Sequence, residues 1–323
     1  MDDSHGRRIN YLRVSLTDLC NFRCRYCMPP EGVPKLRHGD ILSLEELLAI
    51  VELMVSTLGF DKVRITGGEP LVRRGSLHFM TAVGSIAGIT DLSLTTNGYL
   101  LAPVAAELYE AGYRRLNISL DTLRPDQFKA ITGVDGLDHV LGGIEAARQA
   151  GFRPIKINAV TTKDTLDEVL DLTDFCIDRR LELRFIELMP VTGTARDQFV
   201  PNERIEEIIS TRYSLEPIRP LETGDPAYHA AARRYHVGDT GAVVGLISSM
   251  THPFCNRCNR IRIQADGRMR PCLASPKSFD LRPFVRPAFR ADELEQYLRE
   301  TIARTKQAPP GMSDIDAMSS FGG

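Results

Sequence analysis

The sequence predicts an α/β fold: a partial, laterally open (βα)6 TIM-like barrel with a small C-terminal α+β domain. Three observations lead there. Six short apolar, β-branched runs alternate with helical stretches between residues 12 and 188, the order of parallel βα units. Six units fall short of the eight that close a barrel, so the sheet stays open on one side. After Pro190 the pattern changes to proline-rich turns and short strands, which suit a separate small unit. The expected divisions are a polar arm over 1–10, the barrel over 11–213, the C-terminal domain over 214–306 and a tail over 307–323.

The first strand spans 12–17, and Cys20, Cys24 and Cys27 follow it on one loop. Ser43 and Glu46 stand at capping-box spacing and open a helix to about residue 58. The strand over 63–66 leads into Gly67-Gly68-Glu69-Pro70 and a further helical stretch. Strands over 92–96, 116–120, 155–160 and 183–188 alternate with helices over 103–110, 137–150 and 166–179. Gly151 closes the second of these helices. Beyond residue 190 come a helix over 201–211, a turn-rich stretch over 215–227 and short strands over 234–237 and 242–248. Asp266-Gly267 marks a hairpin.

Side chains alternate faces along a strand. One face carries Val63 and Ile65, Leu92 and Leu94, Leu116 and Ile118, Ile155 and Ile157, which suit burial beneath helices. The other carries Arg64 and Thr66, Ser93 and Thr95, Asn117 and Ser119, Lys156 and Asn158, with Lys62, Asn97 and Asp121 continuing the rows. A barrel normally fills its interior with branched apolar residues, and these rows would be costly in a dry core. Either they are solvated on an exposed face or the interior is wet and built for a polar, anionic ligand. The second is the expectation here.

The 323 residues carry a net charge of −2, which argues against a general nucleic-acid binder. The first ten residues are polar and contain no apolar signal region. No apolar run approaches a membrane span; even residues 41–60 include Glu45, Glu46 and Glu52. Seven cysteines without a secretory signal point to metal or redox use in the cytoplasm. Cys176, in an amphipathic helical stretch, reads as a small core residue.

The other six cysteines fall in two groups of three. Cys20, Cys24 and Cys27 stand at C-x3-C-x2-C. Thiolates so closely spaced select zinc, copper(I) or an iron–sulfur cluster. Structural zinc wants four ligands, usually as two separated pairs. Three cysteines on one loop instead fit a [4Fe–4S] cube with one iron open to a small molecule. Cys255 and Cys258, with Cys272 brought back by the hairpin, form the second group. Zinc completed by His252 and a second [4Fe–4S] cluster both fit it, and the first site favours the cluster. Arg260 and Arg262 point to one side of their strand, away from Ile261 and Ile263. They are either solvated or ligands of a phosphate or base.

The first spacing, with Tyr26 before its last cysteine, resembles the radical S-adenosylmethionine (SAM) enzymes. Gly67-Gly68-Glu69-Pro70 resembles the motif whose backbone holds the methionine amino group of SAM in those enzymes. The resemblance assigns Gly68, Ser119 and Met189 to SAM and Tyr26 to the adenine surroundings. Nearly the whole chain is similar to the GTP 3′,8-cyclase family of molybdenum-cofactor biosynthesis. The marks are the 20–29 loop, Arg64 to Leu71, Asn117-Ile118-Ser119-Leu120-Asp121-Thr122-Leu123, Lys156-Ile157-Asn158, residues 254–272 and a final Gly322-Gly323.

That resemblance implies two [4Fe–4S] clusters, on Cys20, Cys24 and Cys27 and on Cys255, Cys258 and Cys272. It implies GTP contacts at Arg13, Arg64, Thr95, Lys156, Arg260, Ile261 and Arg262, and catalytic roles for Arg260, Arg262, Gly322 and Gly323. The implied reaction is that of a lyase. SAM is cleaved to a 5′-deoxyadenosyl radical, the C3′ hydrogen of GTP is abstracted, and a C3′–C8 bond yields 3′,8-cyclo-7,8-dihydro-GTP, the first step toward molybdopterin. Implied partners are an electron donor such as flavodoxin or ferredoxin and a downstream cyclic pyranopterin monophosphate synthase, with a homodimer left open and neither nucleic acid nor membrane. The chain departs from the family at Leu19, where arginine is common, in the loop after Thr162, and at Ile263-Gln264. Two other classes fit part of the pattern: a radical SAM peptide-modifying enzyme with an auxiliary cluster, and a non-enzymatic zinc-binding regulator. The tail has the composition of a frayed terminus. Against this, Met312, Ile315, Met318 and Phe321 recur every three residues and Gly322-Gly323 is slim enough to enter a crowded cavity, as in the family.

Overall fold

In the computed structural model, residues 1–28, 36–189, 196–219, 230–273, 275 and 277–305 are described. The expected tail, with Gly322 and Gly323, lies outside the described residues. In chain order the barrel comprises β1 (Tyr11–Ser15), α1 (Leu44–Ser56), β2 (Lys62–Thr66), α2 (Ser76–Gly84), β3 (Asp91–Thr96), α3 (Ala105–Glu110) and β4 (Arg115–Ser119). It continues through α4 (Pro125–Thr132), α5 (Leu137–Ala150), β5 (Ile155–Thr161), α6 (Val169–Asp178) and β6 (Glu182–Glu187). The remainder is α7 (Asn202–Ser210), β7 (Leu215–Ile218), β8 (Arg233–Val237), β9 (Ala242–Ile247), β10 (Arg260–Ile263), β11 (Arg268–Arg270), β12 (Phe279–Asp280), α8 (Arg282–Val285) and α9 (Ala291–Thr305).

The six expected strands pair in parallel, β1 through β6 in sequence order. The apolar faces read from the sequence are buried: Val63, Ile65, Leu94, Leu116, Ile118 and Ile157 are fully covered by the helices. Local chemistry sets the helix ends. Ser43 Oγ accepts from the Glu46 N–H, and the Glu46 carboxylate accepts from the Ser43 N–H, forming the expected capping box. Gly151 ends α5 at φ +98°, a left-handed cap that suits glycine. Cys176 on α6 is buried, as expected.

The C-terminal strands join this sheet at both edges. The full order is β12-β11-β10-β1-β2-β3-β4-β5-β6-β9-β8-β7, one open sheet of twelve strands. At one edge β9 runs parallel to β6, with Leu183 opposite Val244. At the other β10 runs parallel to β1, with Leu12 opposite Ile261 and Arg13 opposite Arg262. The C-terminal domain thus closes in on the barrel from both sides. Pro217 sits in β7, within the stretch expected to be turns; β7 pairs only with β8, and an edge strand tolerates proline. Helix α9 adds to the expected elements and buries Leu294, Leu298 and Ile302 at four-residue intervals. Among the described residues no helix is long and apolar enough to cross a membrane.

Strand direction then places the cysteines. Cys20, Cys24 and Cys27 follow β1 and lie beyond the C-terminal ends of the parallel strands. Cys255 and Cys258 precede β10, and Cys272 follows the antiparallel β11, so this group lies at the N-terminal ends. Gly267, at φ +79°, makes the turn between β10 and β11. The groups therefore face each other along the strand axis across a distance on the order of 15 Å.

Ile261 is fully buried at the β1–β10 seam. Ile261→Ala should lower unfolding stability by about 2–5 kcal/mol, seen as a reduced urea midpoint. An unchanged midpoint would mean that the seam contributes nothing to holding the two parts together.

Candidate active site

A cavity of about 720 Å³ opens on the inner face of the sheet, and the six cysteines of the two triads line it. So do Arg13, Tyr26, Arg64, Gly68, Thr95, Ser119, Lys156, Met189, Arg260 and Arg262 from the sequence-predicted set. Ile261 is the exception among the described residues of that set. Alternation along β10 turns its side chain into the apolar core, which leaves only its main chain for a ligand.

The expected polar interior is present, and it is strongly cationic. Among the described residues, ten arginine and lysine side chains line the cavity against four carboxylates, which selects an anionic ligand. Strand register aligns Arg262, Arg13 and Arg64 on three neighbouring strands. Burial, followed by Arg262 and Arg64, holds the Arg13 guanidinium well below its usual range. Burial also lowers Arg64 to about 10. Lys156 is pulled down to about 7, first by burial and then by Arg184. Its partner Glu182, 3.4 Å away, also serves Arg184 at 2.7 Å and Arg234 at 3.6 Å. Three cations keep Glu182 ionised despite its burial, whereas one shared carboxylate is too little to offset the burial of Lys156. Thr95 Oγ1, Asn158 Oδ1, Tyr11 Oη and Arg262 Nε are buried on the cavity wall with no hydrogen-bond partner among the described residues. Buried polar atoms of this kind call for a polar ligand.

At the C-terminal end, the first cysteine loop is held by its neighbours. Cys20 Sγ accepts from the Phe22 N–H at 3.4 Å and from Asn97 Nδ2 at 3.8 Å. Asn97 is itself fixed by Glu69, which is fully buried and accepts from the Asn97 N–H at 2.6 Å and from Thr96 Oγ1 at 2.8 Å. Burial pushes Glu69 up to about 7 against these donors. Tyr26 donates to Asp121 at 2.6 Å, and Asp121 also accepts from the Val160 N–H; burial raises Asp121 to about 6. The glycines have a purpose beyond the one read from the sequence. A Cβ on Gly68 would meet the Leu19 carbonyl at 2.3 Å and that of Asp18 at 2.8 Å, so glycine lets the β2 loop seat the cysteine loop itself.

At the N-terminal end, the Arg260 guanidinium lies between two rings, 5.3 Å from the Phe254 centroid and 5.8 Å from that of Tyr11. It donates to Cys258 Sγ at 3.8 Å. His252, considered as a fourth zinc ligand, turns instead to Glu203 at 3.0 Å and does not line the cavity. Among the described residues no three His, Cys, Asp or Glu side chains converge on a single-ion site. Both triads offer soft thiol donors with N–H groups aimed at sulfur, the surroundings that suit an iron–sulfur cluster. Burial and the nearby Asp121, Cys27 and Cys20 push the Cys24 thiol well up, a penalty that bound iron cations would remove.

Tyr11, Arg115, Glu182, Arg184 and Arg234 belong to the wall but not to the sequence-predicted set. Tyr11, Arg115 and Glu182 begin their strands one residue before the expected starts. Arg115 pairs with Asp91 at 2.7 Å, another residue at a strand start. Extending the alternation of Asn117 and Ser119 backwards by one step would have found Arg115, and Glu182 and Arg184 alternate in the same way along β6.

Two family models cover most of the chain. Residues 14–176 match the Radical SAM superfamily and residues 181–309 match Molybdenum Cofactor Synthesis C. A GTP 3′,8-cyclase of Geobacter sulfurreducens is 48% identical over 286 residues, 88% of this chain and 86% of the relative. One of Pelotomaculum thermopropionicum is 42% identical over the full length of both chains. In fold, the chain is similar to the crystal structure of Streptococcus suis SuiB, with a TM-score of 0.63 at 18% identity, over 93% of this chain and 67% of that one.

The contact at Gly68 gives a direct check on the site. Gly68→Ala must move Leu19 and with it the first cysteine loop, a strain of about 1–3 kcal/mol. The variant should keep its overall circular dichroism and lose iron from the first triad after anaerobic reconstitution. Full iron occupancy would show that the loop does not depend on this contact.

Proposed function

The chain belongs to the GTP 3′,8-cyclases of the radical SAM superfamily, and from that membership we propose how its residues divide the work. It is a SAM-dependent cyclising enzyme of molybdenum-cofactor biosynthesis, acting on GTP. Cys20, Cys24 and Cys27 would hold the [4Fe–4S] cluster that works with SAM. Cys255, Cys258 and Cys272 hold a second [4Fe–4S] cluster. The observation that carries this reading is a single cationic cavity with one cysteine triad at each end. When bound, the first cluster and SAM supply the one-electron chemistry that removes the C3′ hydrogen of GTP and opens the way to the C3′–C8 bond of 3′,8-cyclo-7,8-dihydro-GTP.

The protein's own share is binding, orientation and exclusion of water. Arg13, Arg64, Thr95 and Lys156 receive the polyphosphate and ribose, which match the cationic middle of the cavity. Arg260 and Arg262 hold the nucleotide at the second triad, Arg260 already oriented between its two rings. Ile261 is fully buried, so any contact it makes with GTP is through its main chain. Gly68, Ser119 and Met189 line the end where SAM binds, and Tyr26, fixed by Asp121, lies beside them. A one-electron donor such as flavodoxin or ferredoxin, a cyclic pyranopterin monophosphate synthase as product acceptor and a cytoplasmic location complete the reading.

GTP deuterated at C3′ tests it. Anaerobically reconstituted protein should move deuterium into 5′-deoxyadenosine and form the cyclised nucleotide. Cys24→Ala should abolish SAM cleavage, whereas Cys258→Ala should leave cleavage and abolish cyclisation. Efficient cyclisation by the Cys258→Ala protein would remove the second triad from the substrate site.

Lys156 generates a pH prediction. Its free value near 7 must rise when polyphosphate binds, so binding takes up a proton above that pH. The Kd for GTP should increase from pH 7 to 8.5, by up to about tenfold per unit, and Lys156→Arg should flatten the profile. Identical profiles for the two proteins would place Lys156 away from the phosphates.

A further inference from the structure

The first ten residues, expected as a polar arm, are folded into the molecule. Ile9 is fully buried, and Asp3, Arg7 and Asn10 are each less than one-tenth exposed. Asp3 organises a tight loop. Its Oδ1 accepts the main-chain N–H groups of His5 and Arg7 at 2.9 Å, and its Oδ2 accepts from Arg7 Nε at 2.7 Å and Nη2 at 2.6 Å. The remaining arm of the Arg7 fork reaches out of this loop, and Nη1 donates to the carbonyl oxygen of Cys255 at 2.6 Å. A second tie lies four residues further along the cysteine loop. Asn259 Nδ2 donates to Asn10 Oδ1 at 2.8 Å, and the Asn259 carbonyl accepts from the Tyr11 N–H at 3.2 Å. Asn10 in turn donates to Asp61 at 2.7 Å, just ahead of β2.

A buried ion pair adds little net stability, because desolvation offsets the attraction. Its use here is geometric. A guanidinium can grip a carboxylate with two nitrogens and present a third at a fixed angle, whereas a lysine ammonium is a single point on a flexible stem. Asp3 sets the plane of the fork, and the fork sets the main chain of Cys255, a member of the second triad. The two ties bracket Cys255 and Cys258 and join them to the barrel strands. We propose that the first ten residues clamp the second cysteine triad in place, with Arg7 as the positioning residue that fixes Cys255. The proposal rests on the two-cluster reading above.

The test uses the full chain prepared anaerobically, with Arg7→Lys, Arg7→Ala and Cys258→Ala variants. Iron content, the low-temperature electron paramagnetic resonance of the reduced protein, and the ratio of cyclised nucleotide to 5′-deoxyadenosine are read together. Wild type should hold roughly eight irons, four per cube. Arg7→Lys should keep wild-type circular dichroism, the first-cluster signal and SAM cleavage. Its second-cluster signal should shift or broaden, and its cyclisation ratio should fall several-fold. Arg7→Ala should go further and lose most of the second cluster. An unchanged second-cluster signal and ratio in both variants overturns the clamp. Parallel loss of both clusters and of secondary structure overturns it too, since Arg7 would then serve folding alone. Roughly four irons in wild type, with a silent Cys258→Ala, would overturn the two-cluster reading and the clamp with it.

Discussion

The parallel pairing of β10 with β1 is the constraint on which the site depends. These strands are about 250 residues apart in sequence, and their contact brings the second cysteine triad to the same cavity as the first. The pairing is specified from both faces. Leu12 and Val14 meet Ile261 and Ile263 in the apolar core, while Tyr11 and Arg13 meet Arg260 and Arg262 in the cavity. A slip of one residue would exchange the two sets, burying arginines under helices and turning isoleucines toward the ligand. One register therefore fixes both the core and the chemistry.

The cavity it creates is electrostatically unfavourable when nothing anionic is bound. Cations crowd on adjacent strands, and burial weakens the hold of Arg13, Arg64 and Lys156 on their protons. The chain limits the cost with a few devices. Glu182 is shared among Lys156, Arg184 and Arg234; Asp91 takes Arg115; and aromatic faces cover Arg64 and Arg260. Among the described residues, the cations lining the cavity still outnumber the carboxylates. Sites held ready in this way do not need to reorganise when charge arrives, which is how a protein lends precision to chemistry supplied by its cofactors.

Much of this was legible in the sequence. The period-two alternation around Arg64, Thr95, Asn117 and Lys156 disclosed a polar interior, and the C-x3-C-x2-C loop and the later triad disclosed their donors. The rest depended on tertiary pairing. Polar residues at strand starts, such as Arg115 and Glu182, look like loop until a neighbouring strand extends the ladder over them. Asp3 and Arg7 look like a solvated arm, because nothing local shows that the partner of Arg7 is a carbonyl 248 residues away. The role of Gly68 was likewise hidden, since the atom its missing Cβ spares is the carbonyl of Leu19 in another loop. Local pattern gives the face of a strand; only the assembled sheet gives its neighbour.

On the proposed function, two iron–sulfur sites face each other across one cavity, and the magnetic interaction between them is the most direct test. With both clusters reduced in the full chain, the electron paramagnetic resonance spectrum should show dipolar broadening that matches a separation on the order of 15 Å. That broadening should vanish in Cys258→Ala while the first-cluster signal persists. Two sharp, non-interacting signals, or a single cluster unaffected by Cys258→Ala, would contradict it.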